Sequence, residues 1–491
     1  MTGPLSLWLM VGFYLAAALV GLVGDAAGRN RGLRIAGAVL LALGGAAAIF
    51  SAWALPAQTV GMSLAAGGGF SLVGGLVGML GAAVVISDDR AAAIAQGQRV
   101  ALLALAALGA ALAAQATNLI VVAITLETSA VCAYALVASA RTRQSAESAI
   151  KYFIQGAVAT GFLVLGLAVI IGGFVSDGSY DGLSAVALKG GSALLAALLL
   201  VIVAFAFKSG VAPFHSWTAD AYETAPASSA GMLAGPLKLG AVAVLAVLVS
   251  ATAAAGAGQD APLGRMGFVL FPVLCALSLA SVLVGSLAAL RQRSYTRMLA
   301  YAGVAQVGYA LISIASGSAP VTLLFAATYA VGTTGAFVAA EAARALRPDW
   351  DGSIEGLRGL GRTHPSFGSA LAILLTSLAG IPPLVGFWGK FQVFQTAIRQ
   401  AVWLSNEGAS GLAAWYWTIT VVGIVGAVVS VAYYGGVLRT VYASDGEDAS
   451  DAVRSGGASG AVVLGLATVV LATGLLPLAA PFALLIRGFL L

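Results

Sequence analysis

Four lysines, Lys151, Lys208, Lys238 and Lys390, fall inside long apolar runs, and one acid, Glu127 in TLETSAVCAYAL, lies well inside another. In GFWGKFQVF, residues 386–394, Lys390 stands among three phenylalanines and a tryptophan. A charged side chain at the middle of a bilayer costs roughly 2.5 to 3.5 kcal/mol on insertion scales, so such groups need partners, hydration or a purpose. The chemistry open to them is proton exchange. An ammonium can surrender its proton when its surroundings disfavour charge, whereas a guanidinium effectively cannot. Every arginine falls in or beside a loop by this reading, so the intramembrane positions select the amine and not merely positive charge. A carboxylate within about 4 to 6 Å of an ammonium keeps it charged, which makes Glu127 the natural partner of one of these lysines.

Prolines mark the same places. Pro382 and Pro383 precede Lys390 in SLAGIPPLVGFWGKFQVF, Pro213 follows Lys208 in AFAFKSGVAPFHSW, and Pro236 stands beside Lys238 in AGPLKLGAVAVL. Each is expected to break its helix, free carbonyls and admit water beside the amine. The bland alternative for Lys390 is snorkelling to the surface, but about nine residues separate it from Arg399, a long reach for one side chain. Lys151 lies near the start of a span, where snorkelling is easy, and ranks with Gln306 and His215 as a secondary candidate. Gln306, in LAYAGVAQVGYALIS, either bridges water or bonds a neighbouring helix; His215 and His364 flank loops or helix ends and read first as hydrogen-bonded structural residues.

The elements that must hold these groups follow from composition. The chain has 491 residues, 60% hydrophobic and only 9% charged, with a mean hydropathy of +0.99. It is an all-α integral membrane protein: apolar stretches of about 20 residues recur, each long enough to cross a core of roughly 30 Å, and unpaired backbone is intolerable in lipid. The 63 glycines let helix backbones approach closely. No segment is long enough for a soluble domain with its own core. The net charge of +5 gives no support for nucleic-acid binding. Cys132 and Cys275 lie in separate spans without metal-ligand spacing and read as buried free thiols. Residues 1–24 lack a basic start and read as a first span, not a cleaved leader. Clustered cysteines for iron and sulfur, a glycine-rich nucleotide loop and paired haem histidines are all missing from the sequence.

Fourteen spans are expected, at 4–24, 33–55, 68–87, 99–115, 118–139, 149–175, 190–221, 228–255, 266–290, 295–316, 319–342, 366–399, 411–443 and 458–489. The seventh, twelfth and thirteenth exceed one crossing, and the seventh and twelfth carry prolines near a lysine, so those two are expected to be broken. Sixteen arginines follow odd-numbered spans, among them Arg29, Arg90, Arg99, Arg141, Arg291, Arg344, Arg358, Arg439 and Arg454; the other side holds only Lys189, Arg265, Arg399 and Arg487. That asymmetry places the odd-numbered loops in the cytoplasm and both termini outside. The acidic stretch from Asp445 to Asp451 reads as a solvated connection. Spans four to eight and nine to thirteen form two blocks of five, an odd number that inverts the second block. The chain thus divides into an N-terminal three-helix segment at 1–98, a first repeat at 99–255, a second, inverted repeat at 256–443 and a C-terminal helix at 444–491.

At these motifs the chain closely resembles the antiporter-like membrane subunits of complex I, the proton-translocating NADH:quinone oxidoreductase, and most specifically subunit N. The matching stretches are KYFIQGAVATGFLVLG, AFKSGVAPFHSWTADAYETAP, TRMLAYAGVAQVGYALI and SLAGIPPLVGFWGKFQVF, spread over about residues 118–440. The resemblance implies fourteen helices with inverted repeats, discontinuous seventh and twelfth helices, and a charged axis along the membrane midplane. Carried onto this chain, that axis is Glu127 paired with Lys208, then Lys238, then Lys390 near one exit. Such relatives often carry histidine where Gln306 stands and Thr-Pro-Asp where this chain has Thr218, Ala219 and Asp220. The Ala-Pro-Thr-Pro pattern common after the seventh helix appears here as APASSA.

The expected function is proton translocation driven by redox chemistry elsewhere. NADH, FMN, iron–sulfur clusters and quinone would belong to partner subunits, with no cofactor or metal in this chain. Its partners would be other membrane subunits, further antiporter-like ones among them, in a bacterial-type inner membrane. The rival readings are a subunit of a multisubunit Na⁺/H⁺ antiporter and a non-conducting membrane scaffold.

Overall fold

The computed structural model describes residues 2–26, 30–54, 58–60, 64–66, 68–88, 96–187, 191–254, 267–444 and 457–475. Arg29, Arg90, Lys189, Arg265, Arg454 and Arg487, the stretch from Asp445 to Asp451 and the end of the fourteenth predicted span lie outside these residues.

Helices α1 (Thr2–Ala26), α2 (Asn30–Ala54) and α3 (Gly68–Ser87) come first, with a hairpin of two three-residue strands, Gln58–Val60 and Leu64–Ala66, between the last two. Then follow α4 (Gln96–Gln115), α5 (Leu119–Ala138), α6 (Arg143–Gly173), a short α7 (Tyr180–Ala187), α8 (Ser192–Ser209) and α9 (Ser216–Thr224). A continuous rod is made of α10 (Ala227–Met232), a π turn (Leu233–Leu237) and α11 (Lys238–Ala254). The remainder is α12 (Gly267–Leu290), α13 (Tyr295–Ala315), α14 (Ala319–Leu346), a one-turn α15 (Leu360–Thr363), α16 (Pro365–Ala379), α17 (Val385–Asn406), α18 (Ser410–Val441) and α19 (Gly457–Leu475). Among the described residues, 13 helices are long and apolar enough to cross a membrane, and Pro365–Ala379 is a shorter apolar one. The protein is therefore a multi-pass membrane protein, helical except for the short hairpin among the described residues.

Burial separates a centre from a perimeter. The apolar part of α13 is 94% buried, whereas those of α6 and α18 are 33% buried. The perimeter helices turn Ile150, Phe153, Ile154 and Val158 of α6 and Val421, Val425 and Val428 of α18 outward. Such apolar exposure suits lipid or another membrane subunit, because an aqueous surface rarely carries so large an apolar patch.

Two helices break in the same way. α8 ends in Gly210 at φ 72° and α16 ends in Gly380 at φ 87°, left-handed conformations that glycine adopts without a Cβ clash. In the first, Gly210 N–H donates to Phe207 O and Val211 N–H to Ala206 O; in the second, Gly380 N–H donates to Ser377 O and Ile381 N–H to Thr376 O. These paired bonds satisfy carbonyls that each helix end would otherwise orphan. Three residues beyond each glycine stands a proline, Pro213 or Pro383, preceded by a cis peptide bond. After each gap a second half-helix resumes, α9 in one case and α17 in the other.

Pro236 behaves differently from the expectation of a break. The chain stays helical through it, widened into the π turn Leu233–Leu237, because one wide turn removes the clash of the ring with the preceding carbonyls. The thirteenth predicted span is likewise one unbroken 32-residue helix, α18.

Candidate functional site

Lys208 is in the last turn of α8, just before the Gly210 cap. Its Nζ lies 2.6 Å from Glu127 Oε1 on α5, and the lysine side chain is 8% exposed against 30% for the glutamate. Thr160 of α6 donates a second hydrogen bond to the same carboxylate oxygen at 2.7 Å. A charge-assisted pair this short is among the stronger polar contacts a protein makes. Behind it, Tyr152 stacks on Trp217 at 4.0 Å between ring centroids, and Tyr134 meets Tyr152 edge-on at 4.6 Å. Trp217 Nε1 donates to Phe207 O at 3.1 Å, a second bond to the carbonyl that also accepts from Gly210 N–H at the broken end of α8. Tyr134, Tyr152, Phe207 and Ser129 wall a cavity of about 40 Å³ beside Lys208. A single water needs on the order of 10 to 15 Å³, so the space has room for more than one.

Lys390 is in α17, on the far side of its break. It is 4% exposed, and its Nζ donates to Leu378 O and Ala379 O of α16, both at 2.9 Å. Those carbonyls belong to the last turn of a half-helix, the negative end of its dipole, which favours a cation. The Tyr309 ring adds a cation–π contact at 4.9 Å. Gln306 Nε2 donates to the same Leu378 O at 2.9 Å. Of the two readings of Gln306 in the sequence, the bond to a neighbouring helix is the one present.

Lys238 follows the π turn on the central rod, 2% exposed. Among the described residues its Nζ has no hydrogen-bond partner; it faces the ring of Tyr222 at 5.3 Å. A buried ammonium without an acceptor is costly, so this nitrogen is the least satisfied of the three. Two smaller cavities, of about 10 Å³ each, lie along this line: one is lined by Lys238, Gln306 and Tyr329, the other by Gln306, Tyr329 and Lys390. Gln306 and Tyr329 thus stand between Lys238 and Lys390.

The secondary candidates stand apart. Lys151 is half exposed, two turns into α6, and pairs with Glu147 at 2.7 Å and Asp220 at 3.6 Å. α6 begins at Arg143, six residues before the predicted boundary, and Lys151 belongs to a network in which Asp220 also meets Arg297, itself paired with Glu223. His215 opens α9 with its Nδ1 buried and without a partner among the described residues, and its ring is 6.2 Å from Tyr301. His364 precedes α16, its Nδ1 2.9 Å from Thr363 Oγ1. Cys132 and Cys275 are buried and unpaired.

Two expectations need correction. Arg99 is not a loop residue: it lies in the first turn of α4, is fully buried, and makes a forked contact with Asp88 at 2.9 and 3.0 Å. Nor is Glu127 the lone acid inside a span, for α14 runs on to Leu346 and buries Glu341 to 8% exposure. Hydropathy hid both, because each sits within a turn or two of a helix end, where charge is unremarkable in a sequence. Also unforeseen were two serines that tie the breaks to neighbours. Ser281 of α12 accepts from Ala212 N–H at 3.0 Å, and Ser430 of α18 donates to Ala379 O at 3.2 Å.

Buried amines stand at two helix breaks, one paired to a carboxylate and one to carbonyls, with water-sized cavities along the line, inside a multi-pass membrane protein. A family model described as NADH:quinone oxidoreductase/Mrp antiporter, TM, matches residues 116–406. The protein named NADH-quinone oxidoreductase subunit N 2 of Acidobacterium capsulatum is 37% identical over 354 residues, 70% of this chain and 68% of the relative. A chain in the structure of respiratory complex I from Thermus thermophilus with bound aureothin superposes with a TM-score of 0.75 at 28% identity, covering 96% of this chain and 97% of that one. A chain of the Mrp complex from Dietzia sp. shares the fold, with a TM-score of 0.78 at 18% identity over 99% and 96% of the two chains. The chain belongs to the NADH:quinone oxidoreductase/Mrp antiporter family of membrane proteins, and within it resembles subunit N of the oxidoreductase.

Proposed function

We propose that this chain is the antiporter-like subunit N of a complex I type NADH:quinone oxidoreductase, and that protons cross it along Glu127, Lys208, Lys238 and Lys390. The observation that carries this reading is the Glu127–Lys208 pair at a helix break, echoed by Lys390 at a second break of the same construction. Removing Glu127 from Lys208 would leave an ammonium against an apolar wall, which costs several kcal/mol. Passing its proton to the next base relieves that cost. Lys238, which has no acceptor of its own, is the next base, and the small cavities beside Gln306 and Tyr329 lead on to Lys390. Gln306 does not titrate, so its part is to orient water and to share the Leu378 carbonyl with Lys390.

In this reading the two five-helix blocks, 99–255 and 256–443, are inverted repeats among fourteen spans, with both termini outside a bacterial-type plasma membrane. Electron transfer belongs to partner subunits that hold NADH, FMN, iron–sulfur clusters and quinone. This chain's two cysteines and two histidines lie on separate elements, and among the described residues no group of three or more metal-ligating side chains comes together. Its neighbours are other membrane subunits, further antiporter-like ones included. The Mrp-type reading shares the fold, but the relative at 37% identity carries the oxidoreductase name. The test is NADH-driven acidification of proteoliposomes containing the purified complex. Lys208→Ala, Lys238→Ala and Lys390→Ala should each assemble and each suppress proton uptake. Normal uptake by all three variants would refute the path.

A further inference from the structure

On the arginine-rich side of the molecule a second ionisable cluster is buried, distant from both breaks. Asp88, just past the end of α3, is held by Arg99 Nε and Nη2 at 2.9 and 3.0 Å and by Ser228 Oγ at 3.2 Å. Arg99 also reaches Ser139 and Ser229, and Arg34 of α2 donates to the Asp88 backbone carbonyl at 2.5 Å. Glu341 of α14 completes the group: its Oε1 accepts from Ser228 N–H at 3.3 Å, the one hydrogen bond the carboxylate makes among the described residues. The aspartate is thus a well-coordinated anion, whereas the glutamate beside it is not.

Two observations tie this cluster to Lys238. Ser228 and Lys238 share the central rod, ten residues apart, so the amine lies roughly 15 Å further along it, about half a hydrocarbon core. Among the described residues, three buried polar groups without a hydrogen-bond partner lie about this stretch: Thr334 Oγ1 of α14, which presses against the π turn at Gly235 where a Cβ would collide with it, the hydroxyl of Tyr222 on α9, and Lys238 Nζ, which faces the Tyr222 ring at 5.3 Å. Thr334 and Lys238 are 0% and 2% exposed and Tyr222 0%. Unpaired buried hydroxyls are uncommon and call for an explanation beyond packing.

We propose that Glu341, set against the Asp88–Arg99 pair, is the group that loads protons from the arginine-rich side onto Lys238. The proposal rests on the reading of Lys238 as a proton-carrying residue. A proton bound to a Glu341 carboxyl oxygen leaves through a bridging water to Thr334 Oγ. The hydroxyl gives up its own proton in exchange, and the transfer ends as a new N–H bond on neutral Lys238. The glutamate, left as its carboxylate, is refilled from the arginine-rich side. Glu341 and Thr334 are separated by about 10 Å along α14, so water must bridge each step. Burial, opposed by Arg99, pushes Asp88 above the ordinary carboxylate range, as fits a pocket with two acids.

The test uses the assembled complex in proteoliposomes, with NADH-driven proton uptake and complex assembly on native gels measured together. Glu341→Gln keeps the acceptor for Ser228 N–H but cannot release a proton; uptake should fall about 10²-fold, the low side of what removing a positioned proton-transfer group costs. Glu341→Asp, still titratable, should restore most of it. Thr334→Val, which leaves the carboxylates intact, should lower uptake severalfold and decides the matter should Glu341→Gln fail to assemble. Normal uptake in Thr334→Val, or in an assembled Glu341→Gln, alongside a dead Lys238→Ala variant, would overturn the loading station while sparing the lysine path. Normal uptake in Lys238→Ala would instead sink the path itself.

Discussion

The two broken helices share their caps but place their amines on opposite sides of the gap. Lys208 precedes Gly210 by two residues and reaches across to a carboxylate on α5, whereas Lys390 follows Gly380 by ten and reaches back to carbonyls of the helix just ended. The first amine is governed by a full counter-charge that is partly open and can itself change. The second is held by the fixed dipoles of two carbonyls, and no carboxylate is bonded to it among the described residues. In the proposed path, one construction would thus give a responsive site at Lys208 and a receiving site at Lys390. What differs is not the break but where along the resumed or ending half-helix the lysine stands.

Substitutions can sharpen or break this contrast. The largest effect is expected at Lys390→Arg: the side chain lies against a cavity of only about 10 Å³, so the added bulk should cost roughly 1 to 3 kcal/mol of stability and also end proton uptake. Thermal unfolding of the solubilised complex and acidification of proteoliposomes would show both. Lys208→Arg, with about 40 Å³ beside it, should assemble normally yet lose on the order of 10²-fold in proton translocation, because a fixed cation cannot pass its proton on. Equal assembly defects in the two arginine variants would contradict the contrast. Third is Glu127→Gln, which removes the counter-charge at 2.6 Å and should lower stability by roughly 1 to 3 kcal/mol, with uptake impaired but electron transfer to quinone still measurable. Gln306→Leu should cost about 1 kcal/mol, the worth of one bond to the Leu378 carbonyl, and slow uptake modestly. Least of all, Lys151→Ala should leave assembly and uptake unchanged, since its pairs with Glu147 and Asp220 are solvent-exposed.

Much of this was written in the sequence. Charge in lipid is expensive, so Lys208, Lys238, Lys390 and Glu127 stood out against their apolar surroundings, and apolar length alone marked the helices. The breaks were legible from Pro213 and Pro383, though Pro236, read by the same rule, widened a helix into a π turn instead of breaking it. Proline removes one backbone donor wherever it stands; whether the helix then stops or bulges depends on what packs around it. Here α14 lies against the π turn, and the helix goes on. A glycine three residues before each breaking proline was the extra signal, Gly210 in one helix and Gly380 in the other, and Pro236 lacks it. The Arg99–Asp88–Glu341 cluster was not legible. Its members come from α4, the end of α3 and α14, and charges near helix ends look like ordinary loop charges until tertiary packing encloses them.

The central claim is that the buried amines change protonation during turnover. The most direct test is magnetic resonance of ¹⁵N-labelled lysine side chains in the reconstituted complex, with the Lys390 and Lys238 signals assigned by their loss in arginine variants. Both ammonium and neutral amine signals should appear for these nitrogens, with their proportions shifting between the resting enzyme and steady turnover. Ammonium signals alone, unchanged from rest to turnover, would contradict the account.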